Sequence, residues 1–253
     1  GRLGGYGALN QSGLVCLLSL VLGEKCGIDH PEVREAIERG NRFFGFFIGK
    51  GTVPYGDHRP KRDEHDDNGK NSIAAVLFDV QDHREGARFF SRMAVASYGE
   101  RERGHTGNYF SYLWGGPGAC RAGPEAAAAF LKEQRWYFDL SRSFDGRFRY
   151  QGGAASRGAE HKYGHFDCTG AFLLSYLLPE GRLFVTGKGS SRSGFLAGEL
   201  LADTIAAGRG FDSWGKGLPH YRQFTSDRLM DLLTSWSPVV RFRAARVLAE
   251  RPE

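Results

Sequence analysis

Five of the eight histidines fall in short polar loops that precede apolar segments: His58 in PYGDHRP, His65 in DEHDDNGK, His105 in ERGHTGN, and His161 and His165 in EHKYGHFDCTG. Imidazoles titrate near neutrality and bind metals, so histidines gathered with carboxylates suit general acid–base chemistry or ligation. Polar loops also collect such residues for solvation alone. His105 and Thr106 open a helix, where exposed N–H groups and the positive dipole end favour an anion and lower an imidazole pKa. The plain alternative has Thr106 capping the helix with His105 packed beside it.

The run from His161 to Cys168 places two histidines four residues apart and adds Asp167 and Cys168. Imidazole, carboxylate and thiolate are ligands typical of zinc, so His161, His165, Asp167 and Cys168 form the candidate metal set. Gly164 argues against one continuous helix there. The competing reading has Asp167 as a helix N-cap and Cys168 as a buried thiol.

Tyr55, Asp57 and His58, with Asn71, Asn108, Tyr109 and Trp114, supply the aromatic platforms and polar groups of a carbohydrate cleft. Trp136 and Tyr137 are expected in the core. A two-carboxylate glycosidase would draw on Asp57, Asp67, Asp145 or Asp167, with spacing that the sequence does not give. Neither a GxSxG elbow nor a GxxxxGK[ST] phosphate loop is present.

The elements that must position these groups are helical. Apolar periodicity predicts helices near Gly7–Leu22, Pro31–Ile48, Lys70–Val80, Arg84–Tyr98, Thr106–Leu113 with a Gly-Pro break, Pro124–Ser143, Cys168–Leu178 and Ser193–Ala207. Short ribbons are expected only at Arg147–Tyr150 and Leu183–Thr186. Four of the helices open on small or polar residues and run into LVCLLSL, IAAVLF, YFSYLW and FLLSYLL, at offsets of about 62, 35 and 63 residues, which suits imperfect helical hairpins. These apolar helices are the inner set; the intervening ones carry a charged face.

Hydrophobic residues at 41% and charged residues at 25% place the chain among globular proteins. No apolar run reaches bilayer length, and Gly1–Asn10 shows no leader pattern. The four cysteines have neither CxxC spacing nor scaffold density. Net charge of +5 favours anionic partners such as an acidic glycan, but the arginines are scattered among acids and no specific nucleic-acid motif appears. After Gly208 the pattern changes to a linker and two short helices. Residues 1–208 therefore read as the helical domain and 209–253 as a linker and helical pair. SPVVRFRAARVLAER looks like one HEAT repeat, whose face, with Trp236, Val240, Ala244 and Val247, must be covered by neighbouring structure.

Through GYGALNQSGLVCLL, PYGDH, GHTGNYFSYLWGGPGA, GPEAAAAFLKEQRWYFDLSRSFDGRFRYQGG and DCTGAFLLSYL the chain resembles the DUF6288 family of bacterial proteins. More distantly, the hairpins and GRFRYQGG are similar to the α/α-toroid of terpenoid cyclases and protein prenyltransferases, also used by glycoside hydrolases and lyases; the DxDD acid motif is absent. The resemblance implies an all-α, toroid-like and incomplete array, and exported multidomain proteins, hence an extracytoplasmic location. Fold analogy does not select a chemistry.

Three functions follow as expectations. The first is acid–base cleavage of a glycan or other polar polymer by His58, His105, His165 and Asp167, with Tyr55 and Asn108 nearby on one rim where parallel inner helices begin. The second is a non-catalytic scaffold in which the helical domain and the HEAT-like tail hold a peptide or protein. The third is zinc-dependent transfer.

Overall fold

The computed structural model describes residues 9–100, 109–150, 166–180, 195–211 and 217–251. It is all-α. The helices are α1 (Asn10–Lys25), α2 (Pro31–Gly45), α3 (Lys70–Val80), α4 (Arg84–Ala96), α5 (Tyr109–Cys120), α6 (Pro124–Ser141), α7 (Thr169–Leu177), α8 (Gly198–Ala207), α9 (Leu218–Tyr221), α10 (Ser226–Leu232) and α11 (Pro238–Leu248). No strand occurs among the described residues. At the expected ribbon of Arg147–Tyr150 there are only isolated bridges, Arg142 with Phe148 and Arg149 with Asp167; Leu183–Thr186 lies outside the described residues. No helix among the described residues is long and apolar enough to cross a membrane.

Consecutive apolar helices pack on one another: α1 on α3, α3 on α5, and α5 on α7. The partners α2, α4 and α6 pack outside them. Every residue of α3 is buried, whereas α2 and α4 bury one face and turn charges outward. The inner helices enter from one end. The Gln11 side chain near the start of α1 donates to the Asn68 carbonyl just before α3, and Gly69 lies against Phe110 and Trp114 at the start of α5. At the other end Asp79 of α3 pairs with Arg121 beyond α5 at 3.0 Å. Tyr109 of α5 meets the Phe166 ring ahead of α7 at 5.1 Å.

Contrary to the expected break, α5 runs through Pro117. Proline forfeits one helical hydrogen bond and crowds the preceding turn. Here the neighbouring glycines let helices close in: a Cβ on Gly118 would sit 2.6 Å from Ser72 Cα, and one on Gly116 would sit 2.4 Å from Ser175 Oγ. Contact with α3 and α7 holds the segment helical.

Two tail helices form as the periodicity predicts, with Pro238 at the first turn of α11, where a missing N–H costs nothing. The short α9 carries no such periodicity and is found only in the structure. Val240, Ala244 and Val247 are buried with Leu229 and Tyr221 against Ala96 at the end of α4 and Ala207 at the end of α8. Trp236 is half-buried beneath the Arg92 guanidinium, 4.0 Å from its ring. The tail is thus seated on the helical body.

Candidate functional site

The loop that leads into α3 is the most polar buried segment described: Glu64 through Ser72 are all buried. Gly69 has φ 70° and cannot cap α3 with a side chain, so Asp66 does so from three residues earlier. Its carboxylate accepts from the Asn71 and Ser72 N–H groups and from the Ser72 hydroxyl at 2.7–3.2 Å, meeting the unpaired donors and positive end of the helix. Asp67 receives Lys61 at 3.0 Å and Lys70 at 3.1 Å. Burial pushes the Lys70 pKa down despite Asp67. For Asp67 burial works upward, but Lys70 and Lys61 hold its carboxyl below the ordinary value.

Next to this loop lies a relay fully removed from solvent. Glu100 accepts from the His65 N–H, the Asp66 N–H at 3.1 Å, His65 Nδ1 at 3.1 Å and Arg243 Nη2 at 3.2 Å. Because a carboxylate only accepts, Nδ1 carries the proton and Nε2 accepts from the Ser237 hydroxyl at 2.9 Å. Burial lowers the His65 pKa in spite of Glu100. Burial alone would raise Glu100, but His65 and Arg243 hold it low. Ser–His–carboxylate connectivity is that of a hydrolytic triad. Ser237, however, is wholly buried and its oxygen caps α11 by accepting from Val239 and Val240 N–H. With the hydroxyl sealed from substrate, the relay fastens the tail to the body.

The residues singled out in the sequence separate into distinct environments. Asn71 is not open to a substrate: it is wholly buried, its amide donating to the His65 carbonyl and accepting from Val53 N–H. Tyr55 is half-buried with its ring 5.8 Å from Lys70 Nζ. Asp57 and His58 are exposed. Trp114 packs on the core cluster of α1–α4. Tyr109 is half-buried, and burial raises its pKa. Trp136 proves exposed while Tyr137 is buried, because the outer face of α6 falls on the former. His105, Asn108, His161 and His165 lie outside the described residues.

Asp167 is exposed, and the hydrogen bonds from Thr169 hold its pKa low. The Cys168 thiol is buried and raised to about 12 by that burial, and it donates to the Phe148 carbonyl at 3.3 Å. Thus of the candidate metal set only this pair is placed, one side chain outside and one inside. Among the described residues no three His, Cys, Asp or Glu side chains converge as a metal site.

A groove of about 690 Å³ opens where the loop after α2 meets α11. Its lining carries Lys50, Arg59, Arg62 and Arg241, the rings of Phe46 and Phe242, and Pro60 and Pro238; no acidic residue lines it. None of the four cations is in an ion pair with a described residue. The neighbouring acids Glu64 and Asp67 are taken by Lys61. Arg241 also ties the seam together, donating to the Ser235, Trp236 and Gly49 carbonyls. Burial and then the like charge of Arg62 lower its pKa. Sequence reasoning missed these cations, though the run His58-Arg59-Pro60-Lys61-Arg62 held the signal.

A family model, described as a domain of unknown function, DUF6288, matches residues 1–187. That span reaches through α7 and stops short of α8–α11. No curated protein and no solved structure matches the chain.

Proposed function

The chain belongs to the DUF6288 family, and from that premise we propose that its helical body and its tail act together as a non-catalytic scaffold that holds an extended ligand in the seam between them. In this reading the hairpins are an open, toroid-like array and α10–α11 a HEAT-like pair. One observation carries it: the groove is walled by the segment after α2 on one side and by α11 on the other, and buried bonds lock the two sides. A fixed cleft loses little conformational freedom when it binds. Replacing the exposed, groove-lining Ala245 by Trp fills the cleft. Across a panel of soluble polysaccharides and peptides, calorimetry should show binding that Ala245→Trp abolishes, with no product formed. Turnover of any bound polymer would contradict the scaffold reading.

A second reading, acid–base cleavage of a glycan at the entry end of the inner helices, is supported by the shared direction of those helices and the exposure there of Asp167. His105 and His165 would join Asp167 in that chemistry, with His58 as a further base. Polysaccharide cleavage lost in both His105→Ala and Asp167→Asn would favour it; cleavage surviving in both would remove the site.

A further inference from the structure

We infer that the seam groove is a binding site for an acidic polysaccharide, whose sulfate or carboxylate groups are taken by Lys50, Arg59, Arg62 and Arg241 and whose sugar faces lie on Phe46 and Phe242. This rests on the scaffold reading and names its ligand.

Charge is the first ground. Four cations share one cleft without an acidic neighbour in its lining, and two of them, Arg62 and Arg241, stand close enough to repel each other. Exposed cations gain little from solvent-facing partners, but a polyanion held by several of them at once releases the counterions condensed on it. Guanidinium groups also match the paired oxygens of carboxylate and sulfate.

Hydrogen-bond polarity is the second. Every polar side chain in the lining is a donor, and none is an acceptor. The N–H groups of a peptide strand and the base amino groups of a nucleic acid would meet no side-chain acceptor there. Sugar hydroxyls accept as readily as they donate, and acidic substituents only accept.

Shape is the third. Phe46 is 53% exposed, and Lys50 Nζ sits 3.6 Å from its ring centroid, so an apolar platform and a cation are presented together. Rings of this kind suit the C–H faces of pyranoses, and the cleft volume is within the range of ligand pockets, roughly 300–1,000 Å³.

The test is calorimetric titration of the full chain with a dextran sulfate oligosaccharide, an oligogalacturonate, uncharged dextran, polyglutamate and oligo-dT. The first two distinguish sulfate from carboxylate. At least one of them is expected to bind and uncharged dextran is not, with the affinity falling at least tenfold in Arg59→Gln/Arg62→Gln and several-fold in Phe242→Ala while thermal unfolding stays unchanged. Undiminished affinity in the double arginine variant, or no binding of either acidic sugar, overturns the assignment. Tighter binding of polyglutamate or oligo-dT that Ala245→Trp abolishes overturns the ligand class and leaves the scaffold standing. Cleavage of a bound sugar overturns the scaffold and leaves the binding site.

Discussion

Glu100 gathers His65, Asp66 and Arg243 around one buried carboxylate, so its loss would strand a guanidinium inside the protein. Breaking a buried pair from one side costs about 3–5 kcal/mol; urea unfolding of Glu100→Gln should show a loss of that order, and a loss below about 1 kcal/mol would mean that solvent reaches the pair. The same residues set the pH response. The unfolded chain protonates His65 below about pH 6.5, whereas burial keeps the folded imidazole neutral, so stability falls as the pH drops through that value. Glu100, with a lowered folded pKa, adds stability above its unfolded value that is lost as the pH falls through the folded one. Melting temperature measured from pH 8 to pH 5 should therefore decline in the native protein and flatten in His65→Gln; identical slopes would exclude His65. His65 was visible as a loop histidine, but its role was not, since its partners lie 35 and 172 residues away. The groove cations were hidden similarly: Arg241 joins the Arg59–Arg62 run only through the fold.

Helix α3 depends on a glycine where its loop turns inward. Gly69 combines φ 70° with a space in which a Cβ would lie 2.6 Å from the Phe110 carbonyl oxygen. A left-handed L-residue costs roughly 1–2 kcal/mol before any clash, so Gly69→Ala should destabilise by at least ~2 kcal/mol in denaturant titration, with no effect on isolated helix propensity. A neutral result would show that α3 and α5 can part. Periodicity located α3 and α6 well because one face or the whole helix is apolar. It stopped α5 too early, since local rules penalise Gly-Gly-Pro-Gly and only contact with Ser72 and Ser175 rewards it. Residue type offered Asn71 as a polar group of a carbohydrate cleft, but that amide is needed to hold the turn before α3. Polar residues at helix starts serve capping and ligands alike, and sequence does not tell the two apart.

Body and tail form one unit in the whole molecule, joined by an apolar seam at Ala96 and Ala207 and by Ser237 and Arg243 reaching inward. Removing the residues after Ser226 should lower the melting temperature and promote association, because it uncovers that seam and leaves His65 and Glu100 without their partners; unchanged solubility and melting would show the tail to be independent. The covered face of α11 was legible from Val240, Ala244 and Val247, but the surface that covers it was not, being assembled from the ends of α4 and α8. That same seam holds the groove. Backbone hydrogen exchange of the full chain, with and without the acidic oligosaccharide that binds most tightly, locates the ligand directly. Slowed exchange is expected only at 46–62 and 233–245, on both walls of the groove. Protection at 109–114 and 166–172, the entry end of the inner helices, with none in the groove, would contradict it.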